Sequence, residues 1–215
     1  MSAQNTLEVI QQSGVVAIMR AKSSDQLLAA ADAIKAGGVN VIEVTMTTPG
    51  ALDVIRQAVE KYGETVLFGA GTILDPESAR AAILAGAQFV VAPTLNLKTI
   101  EICKRYSVLV MPGAYTPTEI LTAWEAGADI IKVFPADVGG PVYIKAIKAP
   151  LPQVRLAPVG GVDLSNTAAF IKAGADVVGV GGSLVDQKLL AARDFATLTE
   201  RAKRFREEVE KGRAG

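Results

Sequence analysis

Residues 126–135 read Ala-Gly-Ala-Asp-Ile-Ile-Lys-Val-Phe-Pro, and the two halves of this stretch carry opposite signals. Ala126-Gly127-Ala128 closes a helix, because glycine takes the left-handed backbone conformation without a Cβ clash. Ile130–Phe134 is an almost unbroken apolar run, the pattern of a parallel strand covered on both faces. The same joint recurs at Ala36–Gly38, Ala85–Ala87 and Ala173–Ala175, each just before another apolar run. A repeated helix-to-strand joint makes the chain a series of αβ units.

Working outward, the pattern predicts strands at Val15–Arg20, Val41–Thr45, Val66–Ala70, Phe89–Ala92, Val108–Met111, Ile130–Phe134, Val154–Val159 and Val177–Val180. Asp75-Pro76-Glu77 and Thr116-Pro117-Thr118-Glu119 read as helix starts, pairing a capping side chain with proline at the first helical position. The second also has the spacing of a capping box. Eight units in 215 residues favour a closed (β/α)8 TIM barrel, a parallel eight-stranded core with helices outside, over an open doubly wound sheet. Residues 1–215 are expected to form one domain, with an N-terminal helix over about 3–13 and a C-terminal helix over about 194–211. Phe195, Leu198, Ala202, Phe205 and Val209 give that last helix an apolar side to lay across the barrel exterior.

Composition narrows the chemistry. The 22 basic and 22 acidic side chains cancel, so no field gathers nucleic acid. No apolar run approaches a membrane span, and the first residues carry no export signal. With Cys103 as the one cysteine, no internal disulfide is available, and a cytoplasmic location is expected. There is no histidine, which removes His-based triads and the common zinc sites. No clustered Asp/Glu motif stands at the strand ends, so neither a metal nor another cofactor is expected.

In a barrel, the chemistry sits at the carboxyl ends of the strands. Glu43, Thr72 and Lys132 fall there, and Glu43 and Lys132 each interrupt an apolar run, where an ionised group is costly unless paired or used. A structural ion pair between them is one explanation. The other uses them separately. A lysine amine in water is almost wholly protonated at neutral pH, whereas withdrawal from water and a neighbouring cation such as Arg20 favour the neutral form. Only that form attacks a carbonyl. Gly160-Gly161 and Gly181-Gly182-Ser183 follow the last two strands, where backbone N–H groups often meet a phosphate; tight turns without a ligand are the competing explanation. Gly69-Ala70-Gly71-Thr72 offers a hydroxyl and amides to a carboxylate. Cys103 and Trp124 fit core packing, and Lys145 and Lys148 fit a solvated helix face.

Glu43-Val44-Thr45, Gly69-Ala70-Gly71-Thr72, Met111-Pro112-Gly113, Lys132-Val133-Phe134-Pro135, Gly160-Gly161 and Gly181-Gly182-Ser183 together resemble the 2-keto-3-deoxy-6-phosphogluconate (KDPG) aldolase and 4-hydroxy-2-oxoglutarate aldolase family. The resemblance runs from about Val15 to Val185. It implies a metal-free class I aldolase, usually a homotrimer, that cleaves a phosphorylated 2-oxo acid to pyruvate and glyceraldehyde 3-phosphate. It implies Lys132 as the imine-forming residue, Glu43 as general acid/base, and Thr72 as the partner of the substrate carboxylate. Arg20 would bind the anionic substrate, Phe134 would cover the imine, and Gly161, Gly182 and Ser183 would receive the phosphate. Two departures stand out. Thr47 replaces an arginine found in some KDPG aldolases, and Val159 replaces the threonine that accompanies the gluconate-derived substrate; valine resembles the galactonate-specific enzymes instead. KDPG is the expected substrate, with its galactonate epimer and 4-hydroxy-2-oxoglutarate as alternatives. A phosphate-binding barrel isomerase or synthase, and a trimeric barrel acting only as an assembly subunit, are the readings from other classes.

Overall fold

The computed structural model describes residues 2–20 and 23–215. Its strands are β1 (Val15–Met19), β2 (Val41–Thr45), β3 (Leu67–Gly71), β4 (Phe89–Val91), β5 (Leu109–Met111), β6 (Gly113–Ala114), β7 (Ile131–Val133), β8 (Leu156–Pro158) and β9 (Val178–Val180). The helices are α1 (Ala3–Ser13), α2 (Ser24–Ala36), α3 (Ala51–Tyr62), α4 (Pro76–Leu84), α5 (Leu97–Arg105), α6 (Pro117–Glu125), α7 (Gly140–Lys148), α8 (Thr167–Lys172), α9 (Gln187–Ala192) and α10 (Phe195–Ala214). The result is an α/β fold built on a curled parallel sheet. One sheet has the order β5-β4-β3-β2-β1-β9 and the other β6-β7-β8, with every pairing parallel.

Each expected strand is present, but most are shorter than the apolar runs suggest, and the fifth is extended by β6. Proline explains the split: Pro112 has no N–H to give the ladder. On one side of it, the Met111 carbonyl accepts from Ala92 N at 3.1 Å; on the other, the Pro112 carbonyl accepts from Lys132 N at 2.9 Å. The two sheets approach again at a parallel bridge between Val159 and Gly179. β1 stops at Met19, so Arg20 lies just beyond the strand rather than in it.

Alternation along the strands sorts their side chains into two cores. Val16, Val41, Leu67, Phe89, Val91, Leu109, Met111, Ile130, Ala157 and Val177 pack together on the concave side, with Leu7 and Ile10 of α1 closing the end at which the strands begin. Their neighbours, such as Ala17, Ile42, Phe68, Val90 and Val133, pack outward against the helices. Both faces are therefore covered, which is why the runs are continuously apolar. Each large side chain so buried stabilises by about 1.5–3 kcal/mol.

The repeated joint is a two-bond clamp. Gly38, Gly86, Gly127 and Gly174 have φ between +88° and +105°, as the helix-ending reading requires. The polar residue two places after three of these glycines then grips the neighbouring strand from both sides. Asp129 N donates to the Val110 carbonyl at 3.1 Å and its carboxylate accepts from Val110 N at 2.9 Å. Gln88 does the same to Phe68, and Asp176 to Leu156. Asp75 and Thr116 cap α4 and α6 as expected, the latter as a capping box with Glu119. Helix α10 packs on α2 and α8 with Leu198, Ala202, Phe205 and Val209 buried. Among the described residues no helix is long and apolar enough to cross a membrane.

Candidate active site

Lys132 sits in the middle of β7, two residues beyond Ile130 of the concave core, so its side chain shares that face. Its Cα register partners are Gly113 and Ala157, two small residues that leave room beside it. Only 6% of the lysine is exposed, and its Nζ lies 5.3 Å from the centre of the Phe134 ring. Phe134 in turn reaches Gly160, where an added Cβ would lie 3.4 Å from the ring edge.

Glu43 occupies the equivalent place on β2, two residues beyond Val41, and is 2% exposed. Its carboxylate packs over Gly71: a Cβ there would fall 1.8 Å from Oε1. Burial pushes the Glu43 carboxyl above the ordinary carboxylate range, while the charges of Lys132 and Arg20 pull the other way; burial dominates. Glu43 forms no ion pair within 4.0 Å with any described residue, so the structural salt bridge to Lys132 is not made. A carboxyl held in this way can keep a proton at less acidic pH and release it to a nearby base.

Most remaining candidates line one cavity at the carboxyl ends of the strands. Arg20, Phe134, Val159, Gly160, Gly161, Gly181, Gly182 and Ser183 surround a volume of about 190 Å³, together with Ile18, Val162 and Gly179. A second, wider cleft of about 500 Å³ shares Ile18, Arg20, Gly181 and Gly182 with it and continues past Thr47, Thr48, Asp186 and Gln187. Thr72 lines neither. It follows β3 with φ +60°, an unusual conformation for a β-branched residue that costs about 1–3 kcal/mol, and its hydroxyl has no hydrogen-bond partner among the described residues.

The two glycine pairs differ. Gly160 and Gly161 have φ of +97° and +67°, and a Cβ on Gly161 would strike Asp137, so the backbone alone demands glycine there. Gly181 and Gly182 have ordinary φ, and a Cβ on either would meet nothing within 4 Å. The N–H groups of Gly161, Gly182 and Ser183 have no partner among the described residues.

The bland candidates stay bland. Cys103 is fully buried and its thiol is pushed up to about 12, chiefly by burial. Trp124 stacks with Arg155, 5.4 Å from the guanidinium carbon. Lys145 is exposed, but Lys148 is not simply solvated: it donates to the carbonyls of Pro152 and Val154 at 3.2 and 2.9 Å. Three features carry no signal of their own in the sequence pattern: Ile18 in the cavity wall, Gly71 under the Glu43 carboxylate, and Thr48 beside Thr47. Ile18 was detectable, two residues from Val16 and in register with Glu43. Among the described residues no three His, Cys, Asp or Glu side chains gather as metal ligands.

A parallel α/β fold with a buried lysine and a buried carboxyl on its concave face, neither of them lining the two cavities, and with a glycine-lined cavity at the carboxyl ends of the strands, is the arrangement of a parallel-sheet enzyme. The comparisons place it more closely. The family model described as KDPG and KHG aldolase matches residues 7–201. The chain is 36% identical to the 2-dehydro-3-deoxy-6-phosphogalactonate aldolase of Escherichia coli K12 over 91% of its length and 96% of that protein. It is 36% identical to the 2-dehydro-3-deoxy-phosphogluconate aldolase of Treponema pallidum, over 89% of this chain and 91% of that one. A solved KDPG aldolase from Legionella pneumophila, holding pyruvate as a covalent carbinolamine, superposes with a TM-score of 0.86 at 27% identity, covering 92% of this chain and 96% of its own. The chain belongs to the KDPG and KHG aldolase family.

Proposed function

We propose that this chain is a class I aldolase that cleaves a phosphorylated 2-oxo acid through an imine on Lys132. The observation that carries the proposal is the placement of Lys132: nearly excluded from water, in mid-strand, with Glu43 on the same concave face and, among the described residues, no ion pair consuming either. Lys132 Nζ adds to the C2 ketone, and the carbinolamine loses water with a proton from Glu43, leaving a protonated imine. The Glu43 carboxylate then takes the C4 hydroxyl proton, the C3–C4 bond breaks into the imine, and glyceraldehyde 3-phosphate departs. The remaining enamine takes a proton at C3, and hydrolysis frees pyruvate and the lysine. The carbinolamine in the Legionella relative is the intermediate this route requires.

Around that centre, Arg20 helps bind the anionic substrate, the Thr72 hydroxyl holds its carboxylate, Phe134 shields the imine, and the N–H groups of Gly161, Gly182 and Ser183, without partners among the described residues, hold the phosphate. The glycines at 181 and 182, which no local strain explains, support an anion approaching the backbone there. Residues 1–215 act as one domain, the two sheets together forming a closed (β/α)8 barrel through Pro112 and the Val159–Gly179 bridge. The resemblance supports a homotrimer.

KDPG is the first substrate. Val159, which lines the phosphate cavity and offers no hydrogen bond, supports the galactonate-derived epimer as the second. Pyruvate release from KDPG, its galactonate epimer and 4-hydroxy-2-oxoglutarate, measured side by side, tests both. Cleavage of at least one is expected; cleavage of none contradicts the proposed function.

A further inference from the structure

We propose that the wide cleft beside Thr47 and Thr48 receives the hydroxylated tail of an aldehyde longer than three carbons, so that these threonines set the chain length the site accepts; the inference rests on the imine aldolase function above. The site has two compartments joined at Ile18, Arg20, Gly181 and Gly182. A three-carbon phosphorylated aldehyde with its phosphate on the glycine loops is short enough for the narrow one, of about 190 Å³, and leaves the Thr47, Thr48, Asp186 and Gln187 side of the wider one, of about 500 Å³, unused. At the two glycines they share, a Cβ on Gly181 or Gly182 would meet nothing within 4 Å among the described residues.

The wall of the wider compartment is tied through Thr45 to the strand that carries Glu43. Val41, Glu43 and Thr45 alternate along β2 on one face, so Thr45 is the next inward side chain after the proposed acid/base. Thr45 Oγ1 lies 2.9 Å from Thr47 Oγ1 and 3.5 Å from Thr48 Oγ1. Two links among three hydroxyls use two protons, leaving one proton and spare lone pairs for a ligand. The cleft also presents one cation, Arg20, one anion, Asp186, and the neutral Gln187. Mixed donors and acceptors with balanced charge suit an uncharged chain of hydroxyl groups. In the addition direction, the enamine carbon of bound pyruvate bonds to the aldehyde carbon while the aldehyde oxygen takes a proton from Glu43. Hydrolysis then releases Lys132 and a 4-hydroxy-2-oxo acid, with no oxidant or reductant needed.

The test compares kcat/KM for addition of pyruvate to D-erythrose and to D-glyceraldehyde, both unphosphorylated, in the wild type, Thr47→Arg and Thr48→Val. The wild type is expected to use erythrose at least as well as glyceraldehyde. Filling the cleft with Thr47→Arg lowers that ratio about tenfold, and Thr48→Val, close in shape but without the hydroxyl, lowers it in the same direction. Glyceraldehyde addition with an erythrose ratio below about one tenth, or a ratio unmoved in both variants, overturns this inference alone. If pyruvate leaves no borohydride adduct and neither aldehyde adds, the aldolase function itself is refuted, and this inference with it.

Discussion

The Glu43 carboxylate occupies the space a side chain on Gly71 would need: its Oε1 is 1.8 Å from the position of a Cβ there. Gly71 is therefore the floor that lets a buried carboxyl lie flat against β3. Gly71→Ala is expected to displace the carboxylate and lower kcat for cleavage about 100-fold. Single-turnover kinetics of cleavage checks this; a kcat unchanged within twofold contradicts it.

The buried position of Glu43 also makes stability depend on pH. An unfolded glutamate ionises near pH 4.3, whereas the folded protein keeps the proton to higher pH because burial outweighs the two nearby cations. Above the unfolded value the native state thus binds more protons than the unfolded one, and this group's contribution to stability falls as pH rises through its raised folded value. Glu43→Gln has no such proton to lose. Urea midpoints at pH 5 and pH 8 should show the variant gaining on the wild type at the higher pH; a pH-independent difference contradicts the burial effect.

The clamp at Asp129 gives a prediction for the fold. Removing its side chain leaves Val110 N without its partner and also frees Lys104, which sits 2.9 Å from the same carboxylate. Asp129→Ala is expected to cost about 1–3 kcal/mol. The shift in denaturant midpoint measures it, and a variant as stable as the wild type would show that the clamp is dispensable.

Gly182 separates ligand binding from folding. Its ordinary φ and open surroundings mean that Gly182→Ala should leave stability within about 0.5 kcal/mol. The added methyl group would crowd a phosphate at the Gly182 and Ser183 N–H groups, raising KM for a phosphorylated substrate roughly tenfold. Thermal melting and steady-state kinetics on one preparation distinguish these effects. Lost stability with unchanged KM would point to a structural turn.

Much of this was legible in the sequence, for identifiable reasons. The αβ units showed because the Gly127 joint recurs at fixed places, and Lys132 and Glu43 showed because charge inside an apolar run is conspicuous. The break in the fifth strand did not show: Pro112 reads as a strand end, whereas the chain resumes at Gly113 by pairing, again in parallel, with β7 on its other side. The clamps were hidden because Gln88, Asp129 and Asp176 differ in type and act across sequence distance. Gly71 was indistinguishable from the other glycines of its motif, since its partner Glu43 lies on another strand. Thr47 stood out only against the resemblance; its hydroxyl link to Thr45 needed coordinates.

The most direct measurement is intact and peptide mass after incubating the protein with pyruvate and borohydride. The account predicts one reduced pyruvate adduct, located on Lys132 and absent from Lys132→Ala. No mass gain, or an adduct on another lysine that persists in Lys132→Ala, would contradict it.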